Sequence, residues 1–96
     1  MNGPPRRWAI EYLASVRKDV RRLDPQARHR IREFLEERVA KLEDPRSIGE
    51  ALRGSDLGAY WKYRVGDYRI IYAIREKDLI VLAIKNGSRM DRRTGV

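Results

Sequence analysis

A chain of 96 residues can form one modest hydrophobic core and little more. Lys and Arg number 22 against 14 Asp and Glu, a formal charge of +8, which points to nucleic acid, an acidic protein or an anionic surface as partner. The absence of cysteine excludes a disulfide framework, thiol catalysis and the usual zinc sites. No apolar run approaches the length of a bilayer span, so the sequence reads as a cytoplasmic protein without membrane association.

Taken in order, residues 1–6 read as a mobile lead-in with no apolar signal region. Trp8, Ile10 and Tyr12 alternate with charged or small residues and predict a first strand over about residues 7–12. Val16, Val20 and Leu23 then follow the spacing of one buried helical stripe, in a helix starting near Ser15. Asp24-Pro25 supplies an N-cap and a proline for the first helical position. Ala27, Ile31, Phe34, Leu35, Val39 and Leu42 keep the helical period until Asp44-Pro45, predicting a second helix ~27 Å long. Its charged face, with Arg28, Arg32, Glu36 and Lys41, reads as solvated surface. Residues 45–58 hold Pro45, Gly49, Gly54 and Gly58 and read as a loop. Leu79–Ile84 is nearly continuous apolar sequence, the mark of a strand inside its sheet. Lys85 leads into a basic tail, residues 86–96.

The most informative stretch is Tyr60–Tyr72. Gly66-Asp67 reads as a two-residue hairpin turn, so Val65 falls opposite Tyr68, Arg64 opposite Arg69, Tyr63 opposite Ile70 and Lys62 opposite Ile71. Side chains alternate faces along each strand. Trp61, Tyr63, Val65, Tyr68, Ile70 and Tyr72 therefore share a face that the helices cover, with Trp61, Tyr63 and Ile70 against residues such as Ile31 and Leu35. Lys62, Arg64 and Arg69 share the other face with Tyr60 and Ile71. Like charges facing each other across a ladder are unfavourable by ~0.2–1 kcal/mol. Either carboxylates from elsewhere and solvent neutralise them, or the face awaits a polyanion. The predicted architecture is α+β, in the order β-α-α-β-β-β, with a small antiparallel-rich sheet and both helices on one side, as a single domain over residues 1–96.

Few catalytic groups are on offer. His29, between Arg28 and Arg30, reads as a surface residue, and no phosphate-cradling glycine loop or metal-ligand spacing occurs. Arg, Lys and Tyr remain. Such a set can cleave RNA by aligning the ribose 2′-OH with the scissile phosphate, neutralising the phosphate and moving protons at the two oxygens. The planar fork of arginine suits a phosphate, and Lys62 among cations is a candidate proton acceptor.

The order of elements, Leu52-Arg53-Gly54 and above all Trp61–Tyr72 resemble the RelE/ParE superfamily of toxin–antitoxin toxins, and most nearly the RelE-type mRNA interferases. The resemblance spans about residues 7–93. It implies a ribosome-dependent endoribonuclease that cuts mRNA by 2′-OH attack, with no cofactor and no metal, and a cognate antitoxin that blocks it. It places the family's strand lysine at Lys62, its hairpin arginine at Arg69 and the arginine after the last strand at Arg89, as the catalytic set. Tyr60, Arg64, Lys85, Arg92 and Arg93 are the candidate RNA-binding residues. Two departures stand out: Gly95 lies near the place of the family's C-terminal tyrosine, and Tyr60 replaces a second lysine. ParE-like relatives share the fold and inhibit DNA gyrase instead, and that alternative stays open.

Overall fold

Asp24 separates the two helices by chemistry local to the sequence. Its carboxylate accepts a hydrogen bond from the Ala27 amide at 2.8 Å, Pro25 takes the first helical position, and one of the orphan amides of a helix start is thereby satisfied. The computed structural model describes residues 7–52 and 60–86. Its elements are β1 (Ala9–Tyr12), α1 (Ala14–Arg22), α2 (Pro25–Glu33), β2 (Glu50–Ala51), β3 (Tyr60–Val65), β4 (Tyr68–Arg75) and β5 (Asp78–Asn86). The expected lead-in, 1–6, and nearly all of the basic tail lie outside the described residues. No helix among the described residues is long and apolar enough to cross a membrane.

The strands form one five-stranded sheet in the order β1-β5-β4-β3-β2. β1 runs parallel to β5, and the other pairings are antiparallel. The expected α+β architecture holds, with one strand more than the sequence suggested. The 45–58 stretch, read as loop, contains a 3-10 turn at Pro45–Ile48 and then β2, whose two residues pair Glu50 with Lys62 and Ala51 with Trp61. A strand so short has no readable period.

The second helix also departs from a regular rod. After Glu33 it widens into a π turn at Phe34–Arg38 and tightens into a 3-10 turn at Val39–Lys41. Leu35 and Val39, four residues apart, share a face in a regular helix, whereas Ala40, five beyond Leu35, would lie about 140° round from it at a uniform 3.6-residue period. With this irregular end all three are in the core.

Val16, Ile31, Leu35 and Val39 from the helical layer meet Tyr63, Val65, Ile70, Tyr72, Leu79 and Val81 from the sheet. The alternate residues of each strand thus face the helices, as the hairpin register required. Trp61 shares that face but is only half-buried, at the margin of the cluster. The deepest aromatic is Tyr72, fully buried and stacked on Tyr63 with ring centroids 4.1 Å apart.

Both phenols donate to one acceptor, the Pro45 carbonyl, Tyr63 at 2.6 Å and Tyr72 at 3.3 Å. Burial pushes the Tyr63 hydroxyl far above the ordinary tyrosine range and the Tyr72 hydroxyl up to about 12. Unfolded tyrosine titrates near ~10, so both groups are raised in the folded state. Their contribution is complete below ~pH 10 and is lost as pH rises, because the unfolded chain releases protons that the folded chain retains. Each such tyrosine removes ~1.4 kcal/mol of stability per pH unit, and the Tyr72 share levels off above about 12. Thermal unfolding followed by circular dichroism should show a steep fall in Tm above ~pH 10. The double variant Tyr63→Phe/Tyr72→Phe should show a shallower one, and equal slopes would mean that the phenols are not the linked groups.

Candidate nucleic-acid interface

Gly66 has φ 61°, the left-handed conformation that glycine adopts without penalty. A Cβ on it would also lie 3.1 Å from the Arg30 guanidinium. This turn closes β3 onto β4 in the expected register: Val65↔Tyr68, Arg64↔Arg69, Tyr63↔Ile70 and Lys62↔Ile71. Lys62, Arg64 and Arg69 consequently stand together on the sheet face away from the helices. With Ile48, Glu50 and Tyr63 they line a cleft of about 220 Å³.

Lys85 joins them through an irregularity. Ile71 pairs with Ala83 but Tyr72 pairs with Val81, so Leu82 is an extra residue in β5. Strict alternation from the buried Leu79 and Val81 would aim Lys85 at the helices. The bulge shifts the phase, returns Ile84 to the core margin and sets Lys85 directly across from Arg69. Lys85 therefore belongs to β5 and not to a tail. Arg64, Arg69 and Lys85 form a row of directly opposed cations across three adjacent strands.

Tyr60 lies two residues before Lys62 on the same face, paired with Ala73 and 37% exposed. Its ring is available to a planar group. Arg89, Arg92 and Arg93 lie outside the described residues. His29 sits on the outer side of α2, its Nε2 3.7 Å from a Glu33 carboxylate oxygen.

The residue that sequence reasoning missed is Glu50. Its carboxylate lies 3.6 Å from the Lys62 ammonium, so Lys62 has a carboxylate neighbour as well as cationic ones. Among the described residues no carboxylate pairs with Arg64, Arg69 or Lys85. Neutralisation from elsewhere in the described chain thus reaches one cation of the four, and the row of three is left for solvent or a ligand. Such an arrangement can grip successive phosphates, with guanidinium forks supplying paired hydrogen bonds, beside a lysine that has one carboxylate neighbour.

The profile of the family described as "ParE toxin of type II toxin-antitoxin system, parDE" matches residues 9–91. Among solved structures, the chain resembles a protein of the RelBE2 toxin–antitoxin complex from Mycobacterium tuberculosis. That match has a TM-score of 0.72 and 22% identity, covering 82% of this chain and 96% of that one. It also resembles a protein of the archaeal RelE–RelB complex from Pyrococcus horikoshii, with a TM-score of 0.69 and 25% identity, covering 86% and 98%. The isolated RelE toxin of Escherichia coli matches with a TM-score of 0.63 and 18% identity, covering 92% and 96%. No curated protein matches the chain. The fold is therefore that of the RelE/ParE toxins. The chain belongs to the ParE toxin family of type II toxin–antitoxin systems.

Proposed function

We propose that this toxin is an mRNA interferase, an endoribonuclease that arrests translation in the cytoplasm by cutting mRNA presented by the ribosome. The observation that carries this reading is the cleft that brings Arg64 and Arg69 beside the Lys62–Glu50 pair, with Lys85 extending the cationic row on the next strand. In the proposed reaction the ribose 2′-oxygen bonds to the adjacent phosphorus while the bond from phosphorus to the 5′-oxygen breaks. One proton leaves the 2′-hydroxyl and one arrives at the 5′-oxygen. Arg69, with Arg89 assigned by family resemblance, neutralises the charge that grows on the phosphate oxygens, the kind of stabilisation that is greatest at a preorganised site. Lys62 moves a proton at the reacting oxygens. Arg64, Lys85, Arg92 and Arg93 hold neighbouring phosphates, and Tyr60 stacks on a base.

Three of the matched structures are toxin–antitoxin complexes, which supports a cognate antitoxin as the inhibitor of this chain. A small, partly disordered protein with acidic and apolar segments would suit the basic surface and fold as it binds.

The family match to ParE toxins favours a second reading, inhibition of DNA gyrase without RNA cleavage. Primer extension on cellular mRNA after induction separates the two. Cuts within coding regions are the expected result. Intact mRNA accompanied by DNA damage would replace the interferase with the gyrase inhibitor.

A further inference from the structure

The position of Glu50 is built by the core. The two buried phenols of Tyr63 and Tyr72 hold the Pro45 carbonyl, and Asp44 caps the 3-10 turn that follows by accepting from the Arg46 amide at 3.0 Å. Gly49 then passes so close to the sheet that a Cβ would overlap the Tyr72 hydroxyl and lie 3.2 Å from the Lys62 carbonyl oxygen. The next residue is thereby delivered across from Lys62, in the register Glu50↔Lys62. Several buried contacts thus place one carboxylate in a cleft whose other charged lining residues, Lys62, Arg64 and Arg69, are cations.

The two members of the pair are not equally anchored. The Lys62 side chain is 32% exposed and the Glu50 side chain 76%. Glu50 can therefore swing into water at little desolvation cost, whereas Lys62 stays with the cleft. An exposed ion pair of this kind is weak, and a phosphate gripped at the same time by Arg64 and Arg69 competes with it favourably. We infer that Glu50 is a resident counter-ion of Lys62 that an incoming phosphate displaces, so that it tunes how tightly the cleft holds a polyanion. The exchange disfavours lone anions, which meet the carboxylate with few contacts in return. A nucleic-acid strand, with several phosphates engaged at once, overcomes it. This role rests on the cleft binding RNA, as proposed above.

The test is the affinity of the purified toxin for a short single-stranded RNA, 2′-O-methylated so that it cannot be cut, measured by fluorescence anisotropy. Glu50→Gln should tighten binding about two- to fivefold, the range of a lost exposed ion pair. The gain should vanish when Lys62→Met is already present, since the two changes act on one contact. Glu11→Gln supplies the comparison: Glu11 is an exposed carboxylate of β1 with no place in the cleft, and its change should have less effect. The inference is overturned if Glu50→Gln leaves affinity unchanged or weakens it, if its gain survives in the Lys62→Met background, or if Glu11→Gln matches it. A loss of cleavage of unmodified RNA by Glu50→Gln at unchanged affinity would also overturn it, marking Glu50 as a participant in proton transfer instead. Failure of the wild type to bind the RNA, with Arg69→Ala making no difference, would remove the RNA reading itself and this inference with it. Binding that depends on Arg69 but not on Glu50 removes the exchange alone.

Discussion

Arg69→Ala is expected to reduce RNA cleavage by about 100-fold or more while leaving the protein at least as stable as the wild type. The first part follows from the position of Arg69 at the centre of the cationic row, between Arg64 and Lys85. A side chain that neutralises charge developing in a transition state contributes ~10²–10³-fold to rate, and alanine retains none of it. The second part follows from the same position. Arg69 faces away from the helices, pairs with no carboxylate among the described residues, and is opposed on both sides by cations. Removing it relieves two like-charge cross-strand contacts, each unfavourable by ~0.2–1 kcal/mol, and this offsets the lost packing of its aliphatic stem. Cleavage assays beside a thermal melt check both parts together. A variant that melts well below the wild type would show that Arg69 holds the sheet together, and its lost activity would then carry no information about the phosphate. The milder change Arg69→Lys should keep the charge but not the paired hydrogen bonds, leaving partial activity.

The largest effect on stability is expected from Tyr72→Ala. Tyr72 is fully buried, stacks on Tyr63 and donates to the Pro45 carbonyl. Truncating a large buried aromatic removes its burial and leaves a cavity that the surrounding side chains fill only partly, a loss of ~3–5 kcal/mol. Domains of this size have ~5–15 kcal/mol in all, and each kcal/mol moves Tm by ~4–8 °C. A fall in Tm of roughly 15 °C or more, or failure to fold, is the expected result. Tyr72→Phe removes only the hydroxyl and should cost ~0.5–1.5 kcal/mol, because Tyr63 still donates to the same carbonyl. Urea unfolding of the two variants separates ring from hydroxyl. A Tyr72→Ala midpoint close to that of the wild type would mean that the stack is not central to the core. Trp61→Ala should be milder than Tyr72→Ala, since that larger ring is only half-buried at the margin of the cluster.

What the sequence determined by itself is what local rules control. The Asp24-Pro25 start of α2 was legible because capping involves residues three apart. The face shared by Lys62, Arg64 and Arg69 was legible because a two-residue turn sets the register and a strand has a side-chain period of two. Three other features depended on contacts between distant segments. Lys85 reached the cationic face only through the extra residue Leu82, and a bulge in an apolar run leaves no trace in a pattern that is apolar at every position. Glu50 reached Lys62 because Tyr63 and Tyr72, 18 and 27 residues after Pro45, hold its carbonyl and bring the intervening chain against β3. The π and 3-10 turns that follow α2, with which Ala40 joins Leu35 and Val39 in one core, leave no mark in a sequence that keeps the 3.6-residue period. Propensity and period act over a few residues, whereas burial is settled by the whole sheet and helical layer packing at once.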